Sequence, residues 1–263
     1  MERDDLGTPH LRFERRKYCA WVRIDRPDAR NALTAGMYYG IRRAVDIVNA
    51  SRSLRALVIT GSGDVFAPGG EMGGRHDDSE VDVGGLMGND VLPFRAIRDS
   101  RAPVVAAVNG LCSGGGLTIA MLADITVASD RARFRAPELL RGVADTWYAS
   151  LLPAHIGTAR AREFMMTARW MEAREAHACG LIARVVDHEA LEAEAQRAVD
   201  EMLRCAPEAR AQFKRIVNGD YPPIDMVTME ASIRGDECAE GFRAFTERRA
   251  PSWVPEELRD GRL

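Results

Sequence analysis

The first pattern in the chain is an alternation of apolar and polar positions from Leu11 to Ile24, with Ala20, Val22 and Ile24 on one face and a break at Arg15-Arg16-Lys17. Alternation interrupted by a polar turn predicts a β-hairpin. Pro27 ends it. Thr34 then offers a capping hydroxyl, and Met37, Ile41, Val45 and Val48 recur at spacings of four, four and three, which predicts a helix whose apolar stripe faces a sheet. Arg55-Ala-Leu-Val-Ile-Thr60 reads as a short strand. From Gly61 to Gly74 the periodicity collapses into six glycines among fourteen residues, so the backbone there must turn sharply or approach something closely. The acidic, glycine-containing stretch from Arg75 to Asp90 reads as a mobile segment or lid.

A second unit of the same kind follows. Val104-Val-Ala-Ala-Val108 suits a buried strand, Ser113-Gly-Gly-Gly116 leads into a helix over Leu117 to Ala123, and Ile125 to Ala128 is again extended. Beyond Val185-Val-Asp187 the pattern is helical: Ala190 to Leu203, a break at Pro207, a second helix to about Asn218, and after Pro222-Pro223 a third from Asp225 to about Glu247. The predicted organisation is an α/β core over residues 1–200 and a helical region over 201–263.

Composition acts mainly by exclusion. A chain of 263 residues can bury roughly three quarters of its unfolded surface without disulfide or metal staples. With 36 Lys+Arg against 39 Asp+Glu the formal net charge is -3, which disfavours a duplex-binding protein, and no nucleic-acid partner is expected. The N-terminus is charged from Glu2 onward, and the apolar runs fall far short of the roughly 18 residues of a membrane span, so neither a signal peptide nor a membrane partner is expected and a cytoplasmic location is predicted. The five cysteines are scattered without a CxxC pair, which predicts free thiols rather than a disulfide framework or a zinc site.

The glycine turns meet neither nucleotide fingerprint: no GxGxxG follows a strand and no GxxxxGK[ST] occurs. Ser113 fails the GxSxG elbow because Leu111 stands two residues before it. His188-Glu189 opens an HExxH pattern that ends on Glu192, and the histidines read as packing or surface residues, not metal ligands. What remains is a pair of strand-to-glycine-turn units, Ile59 to Met72 and Val108 to Leu117, each able to aim a backbone N–H into a common space. Two converging amides make an oxyanion hole, in which one donor is worth about 3 kcal/mol of barrier, and the second unit adds the positive end of a helix. Either loop alone is as well explained as a tight turn.

The ordered set of motifs resembles the enoyl-CoA hydratase/isomerase (crotonase) superfamily along nearly the whole chain. Ile24-Asp-Arg-Pro-Asp-Ala-Arg-Asn-Ala-Leu33 resembles its N-terminal signature, Val58 to Met72 its first oxyanion loop, and Val108-Asn-Gly-Leu-Cys-Ser-Gly-Gly-Gly116, continuing to Asp124, its second. Phe134-Arg-Ala-Pro-Glu138, Leu152 to Gly157, Ala178 to Ile182 and Glu240 to Arg249 continue in the family's order. The resemblance implies an α/β, crotonase-like spiral of β-β-α turns with a C-terminal helical region, assembled as a homotrimer or a hexamer (a dimer of trimers). It implies an acyl-CoA thioester as substrate, with no metal and no cofactor besides the coenzyme A that the substrate carries. Carried over by position, the oxyanion donors are the N–H groups of Gly70 and Gly115, and Pro68, which lacks an N–H, falls two residues before the donor. Asn31, Ala32 and Leu33 are implied beside the CoA adenine, Ala67, Gly69, Met72, Thr118 and Trp147 against the substrate, and Phe245 and Arg248 at positions that reach a neighbouring subunit's CoA.

Water addition in the family resembles a two-carboxylate mechanism. Glu138 supplies one carboxylate, but the other position is Thr118, which cannot exchange a proton near neutral pH as a carboxylate can. Asp145 lies where some members carry an acid facing the acyl pocket, although the stretch after Gly142 is about one residue short of the common pattern; it reads equally as a second acid/base or as a helix cap. Glu71, where aspartate is usual, reads as a helix-start charge. The implied reaction is hydration or dehydration of an enoyl-CoA through an oxyanion-stabilised enolate. The alternatives are double-bond isomerisation with one carboxylate and a catalytically weak acyl-CoA-binding member.

Overall fold

The structure is a computed structural model that describes residues 5–71 and 92–259. Met72 and the stretch from Arg75 to Asp90 lie outside the described residues. In chain order the strands are β1 (Leu11–Arg16), β2 (Cys19–Ile24), β3 (Ala56–Gly61), β4 (Val65–Ala67), β5 (Val104–Val108), β6 (Leu111–Ser113), β7 (Ile125–Ser129), β8 (Arg133–Arg135), β9 (Met171–Glu172) and β10 (Arg184–Val186). The helices are α1 (Ala35–Ala50), α2 (Pro93–Arg98), α3 (Gly115–Leu122), α4 (Thr146–Ile156), α5 (Thr158–Thr167), α6 (Ala173–Cys179), α7 (Leu191–Leu203), α8 (Pro207–Gly219), α9 (Met226–Ile233) and α10 (Asp236–Glu247).

Two sheets form. The larger has six strands in the order β1-β2-β3-β5-β7-β10, and the smaller has four in the order β4-β6-β8-β9. The antiparallel hairpin pairs Leu11 with Ile24, and Lys17 turns it at φ 54°. The next strands join in parallel, and each long strand β3, β5 and β7 is followed at once by a short strand of the second sheet, so the chain winds as successive β-β units carried round by helices. Central parallel strands are covered on both faces, which is why they read as unbroken apolar runs. Val105 and Ala107 pack with Leu191, Ala195 and Val199 of α7, whereas Val104, Ala106 and Val108 point into the main core. The Thr34 hydroxyl accepts from the Met37 amide at 3.1 Å, and the stripe Met37, Ile41, Val45 and Val48 is buried as its spacing predicts.

The C-terminal reading needs one correction: the segment from Asp225 to Glu247 is two helices, not one. Asp225 caps α9, and Gly235, in extended conformation at φ -77° and ψ 158°, precedes α10, whose first turn carries Asp236 and Glu237. A glycine with two acids behind it is a helix start, since negative charge favours the N-terminal end. No helix among the described residues is long and apolar enough to cross a membrane.

Candidate active site

The C-terminal ends of β3 and β5 deliver both glycine loops to one place. Asn109 ties them together, accepting from the Gly61 amide at 3.0 Å and donating to the Gly63 carbonyl at 2.8 Å. Leu33 bridges the first loop: its amide donates to the Gly69 carbonyl and its carbonyl accepts from the Glu71 amide, both at 2.8 Å. Along extended chain successive amides face opposite ways, so the Gly70 N–H between them points away from Leu33.

The second loop turns at Gly114, at φ 54° and ψ -139°, directly before α3. A methyl group built on Gly114 would lie 2.8 Å from the Gly69 Cα and 3.1 Å from the Pro68 carbonyl oxygen, so the two backbones cross where no side chain fits. Ser113 Oγ donates to the Pro68 carbonyl and the Tyr148 hydroxyl to the Gly114 carbonyl, each at 2.7 Å, fixing both loops. Gly69, Gly114 and Gly116 are buried, whereas Gly70 and Gly115 are part-exposed. Among the described residues neither of those two amides has a hydrogen-bond acceptor. The result is a pair of uncommitted main-chain donors on adjoining loops, one of them at a helix N-terminus.

Two carboxyl groups stand beside them. Glu138 opens a 3-10 turn, Glu138–Arg141, that is clamped by α10: methyl groups on Gly241 and Gly142 would fall 2.5 Å from the Arg141 backbone and 2.4 Å from the Glu237 backbone. Its Oε2 is buried without a partner, and its Oε1 lies 3.5 Å from where a Gly114 methyl would be. Burial first, and the neighbouring Asp145 second, push the Glu138 pKa well above the usual carboxylate range. Of the two readings of Asp145, the helix cap is the one its contacts show. Its Oδ1 caps α4 by accepting from the Tyr148 amide at 3.0 Å, and burial pushes its pKa up to about 6. Thr118, 2% exposed on α3, brings no carboxyl. Both carboxyls hold their protons more tightly than an exposed carboxyl does, and the charge of Asp145 adds to the effect at Glu138.

This geometry sets the sign of a stability effect. Asp145 holds its proton more tightly folded than unfolded, so between pH 3.8 and about 6 the folded chain binds more protons and stability falls as pH rises. Asp145→Asn keeps a capping oxygen and removes the charge, so it is expected to stabilise by about 1–3 kcal/mol at pH 7. Melting curves should show little gain at pH 4; an equal gain at both pH values would contradict the raised proton affinity of this carboxyl.

The other expected site residues divide. Asn31, at φ 62°, spends its side chain on the main chain, accepting from the Arg26 amide at 2.9 Å and donating to the Val65 carbonyl at 2.6 Å. Leu33 is buried, and Ala32 alone of the three is part-exposed. Ala67 packs under the second loop, its carbonyl oxygen 2.5 Å from a Gly116 methyl position. Trp147 is buried edge-on to Phe94 at 5.2 Å, which in turn meets Tyr38 edge-on at 6.2 Å. Phe245 is 52% exposed beneath the Arg141 guanidinium, 4.0 Å from its ring centre, and Arg248 ends α10 at φ 55°. Glu71 pairs with the 3%-exposed Arg26 at 2.6 Å, and the helix start expected after it lies outside the described residues. Tyr38 and the clamping role of Tyr148 were not readable from spacing, because a phenol at the edge of an apolar stripe looks like core. Among the described residues no group of His, Cys, Asp and Glu could hold a metal ion.

Comparison with known proteins agrees with this geometry. A family model described as enoyl-CoA hydratase/isomerase matches residues 14–256. A probable mitochondrial enoyl-CoA hydratase from Dictyostelium discoideum is 30% identical over 245 residues, covering 88% of this chain and 86% of that protein. A crotonyl-CoA hydratase from Syntrophomonas wolfei is 32% identical over 260 residues, covering 95% and 99%. The crystal structure of an enoyl-CoA hydratase/isomerase from Pseudoalteromonas atlantica superposes with a TM-score of 0.79 at 29% identity, covering 93% of this chain and all of that one. With its two glycine loops, its paired sheets and a family match over nearly its full length, the chain belongs to the enoyl-CoA hydratase/isomerase family.

Proposed function

We propose that the protein adds water to the double bond of an enoyl-CoA thioester, or removes it in the reverse direction. The observation that carries this reading is the placing of two unspent amides, Gly70 and Gly115, beside the carboxyl pair Glu138 and Asp145. The amides hold the thioester oxygen as it gains charge. The water oxygen bonds to the β-carbon while one water proton passes to a carboxylate, and the carboxylic acid of the pair delivers a proton to the α-carbon, so water is the only co-reactant. Asp145 takes the part that Thr118 cannot. Incubating the protein with a short enoyl-CoA and separating the products tests this: a 3-hydroxyacyl-CoA is expected, and no turnover overturns it.

Isomerisation is the second reading, favoured by Thr118 itself. One carboxylate can carry a proton from the α- to the γ-carbon while the amides hold the dienolate, and a shifted double bond without hydroxyacyl product would identify it. A trimer or a dimer of trimers is supported by apolar side chains left open on the C-terminal helices, with Phe213 68%, Ile216 63% and Val227 80% exposed in the single chain. Light scattering should return a mass that is a multiple of three chains; a monomer would refute it.

A further inference from the structure

One polar group at the site is used by neither the loops nor the carboxyls. Tyr38, on α1, is 3% exposed, and its hydroxyl has no hydrogen-bond partner among the described residues. The ring is buried, but the oxygen is not sealed in the interior, so the hydroxyl remains open to an acceptor on a ligand. Its position is specific: a methyl group on Gly115 would fall 2.1 Å from the phenol oxygen and 3.0 Å from Cζ, so the phenol fills the space in which residue 115 would otherwise carry a side chain. Tyr148 differs in this respect, since its hydroxyl is committed to the Gly114 carbonyl at 2.7 Å.

Two further observations fit a donor. Burial, then the charges of Glu138 and Asp145, push the ionisation of Tyr38 upward, so the phenol keeps its proton. Its ring meets Phe94 edge-on and Phe94 meets Trp147 in the same way, which holds the hydroxyl in one place.

We infer that Tyr38 is a further catalytic residue: its hydroxyl is a third donor to the thioester oxygen, beside the amides of Gly70 and Gly115. The inference rests on the reading of the site given under the proposed function. When water attacks the β-carbon, or a proton leaves the α-carbon, an electron pair moves onto the thioester oxygen. Tyr38 transfers no proton; it shares one in a hydrogen bond that strengthens as the charge grows, so the stoichiometry is unchanged. With Thr118 in place of a carboxylate, a larger part of the work falls on the oxyanion donors.

The test compares the wild type with Tyr38→Phe, a change that removes one oxygen and leaves no protein group unpaired. Three quantities are measured: hydration of a short enoyl-CoA, solvent-deuterium exchange at the α-carbon of a saturated acyl-CoA, and the infrared stretch of that ligand's isotopically labelled thioester carbonyl when bound. Hydration and exchange are both expected to fall about ten- to hundred-fold with KM within about threefold, and the stretch to move to higher frequency than in the wild type. An unchanged stretch overturns the inference, as does loss of hydration with exchange intact, which would put the hydroxyl at the β-oxygen. If the wild type polarises the carbonyl but hydrates nothing, the proposed function fails while the stretch in Tyr38→Phe still decides the role of Tyr38. If the wild type binds no acyl-CoA, both fall.

Discussion

Replacing Glu138 by Gln is expected to lower turnover of an enoyl-CoA by about 10²- to 10⁴-fold while leaving acyl-CoA affinity nearly unchanged. Gln keeps the shape of the side chain and cannot exchange a proton. The same variant should be more stable than the wild type near neutral pH, because it removes a carboxyl whose Oε2 is buried without a partner and whose ionisation is opposed by burial and by Asp145. Loss of activity together with a gain in melting temperature separates a catalytic group held at a cost from a structural one. Retained turnover would remove Glu138 from the mechanism.

The second large effect is expected at the crossing of the loops. Gly114→Ala places a Cβ 2.8 Å from the Gly69 Cα and 3.1 Å from the Pro68 carbonyl oxygen, with backbone on both sides and no flexible side chain to yield. The conformation at φ 54° and ψ -139° adds strain for any residue but glycine. The expected cost is about 2–4 kcal/mol of stability, and displacement of the donors should lower kcat by about 10²- to 10³-fold. Gly63→Ala is the control. It also has positive φ, at 66°, but nothing lies within 4 Å of its added methyl, so it should cost only about 1–2 kcal/mol and leave kcat alone. If Gly114→Ala behaves like Gly63→Ala, the close approach of the loops is wrong.

The hairpin, α1 and the strand–glycine–helix unit around β5 and α3 were legible because their periods are long enough to register, and the main chain obeys them. The second sheet was not legible. Its strands β4, β6 and β8 have three residues each, too few for alternation to separate from a turn, and β4 and β6 lie inside the stretches that composition marks as glycine loops. Gly70 and Gly115 emerged from motif order, yet spacing could not say that they are the part-exposed residues of a buried crossing. Asp145 resisted assignment for a physical reason: a helix cap and a half-buried acid want the same residue in the same place, and here one oxygen caps while partial burial raises the carboxyl's affinity for its proton. Tyr38 was hidden because its ring satisfies the apolar pattern and only its oxygen departs from it.

The bridge between Leu33 and Gly70 joins residues 31–33, which the family resemblance implies beside the nucleotide end of the substrate, to the proposed oxyanion donor by main-chain bonds at 2.8 Å, and Arg26 with Glu71 splints the same junction. Under the proposed function recognition and reaction are mechanically linked: a group seated against Ala32, the part-exposed member of the three, would also set the pitch of the Gly70 amide. A thioester cut back to its pantetheine arm should accordingly lose rate constant as well as affinity, because the missing nucleotide would have tightened the grip on an oxygen far from where it binds.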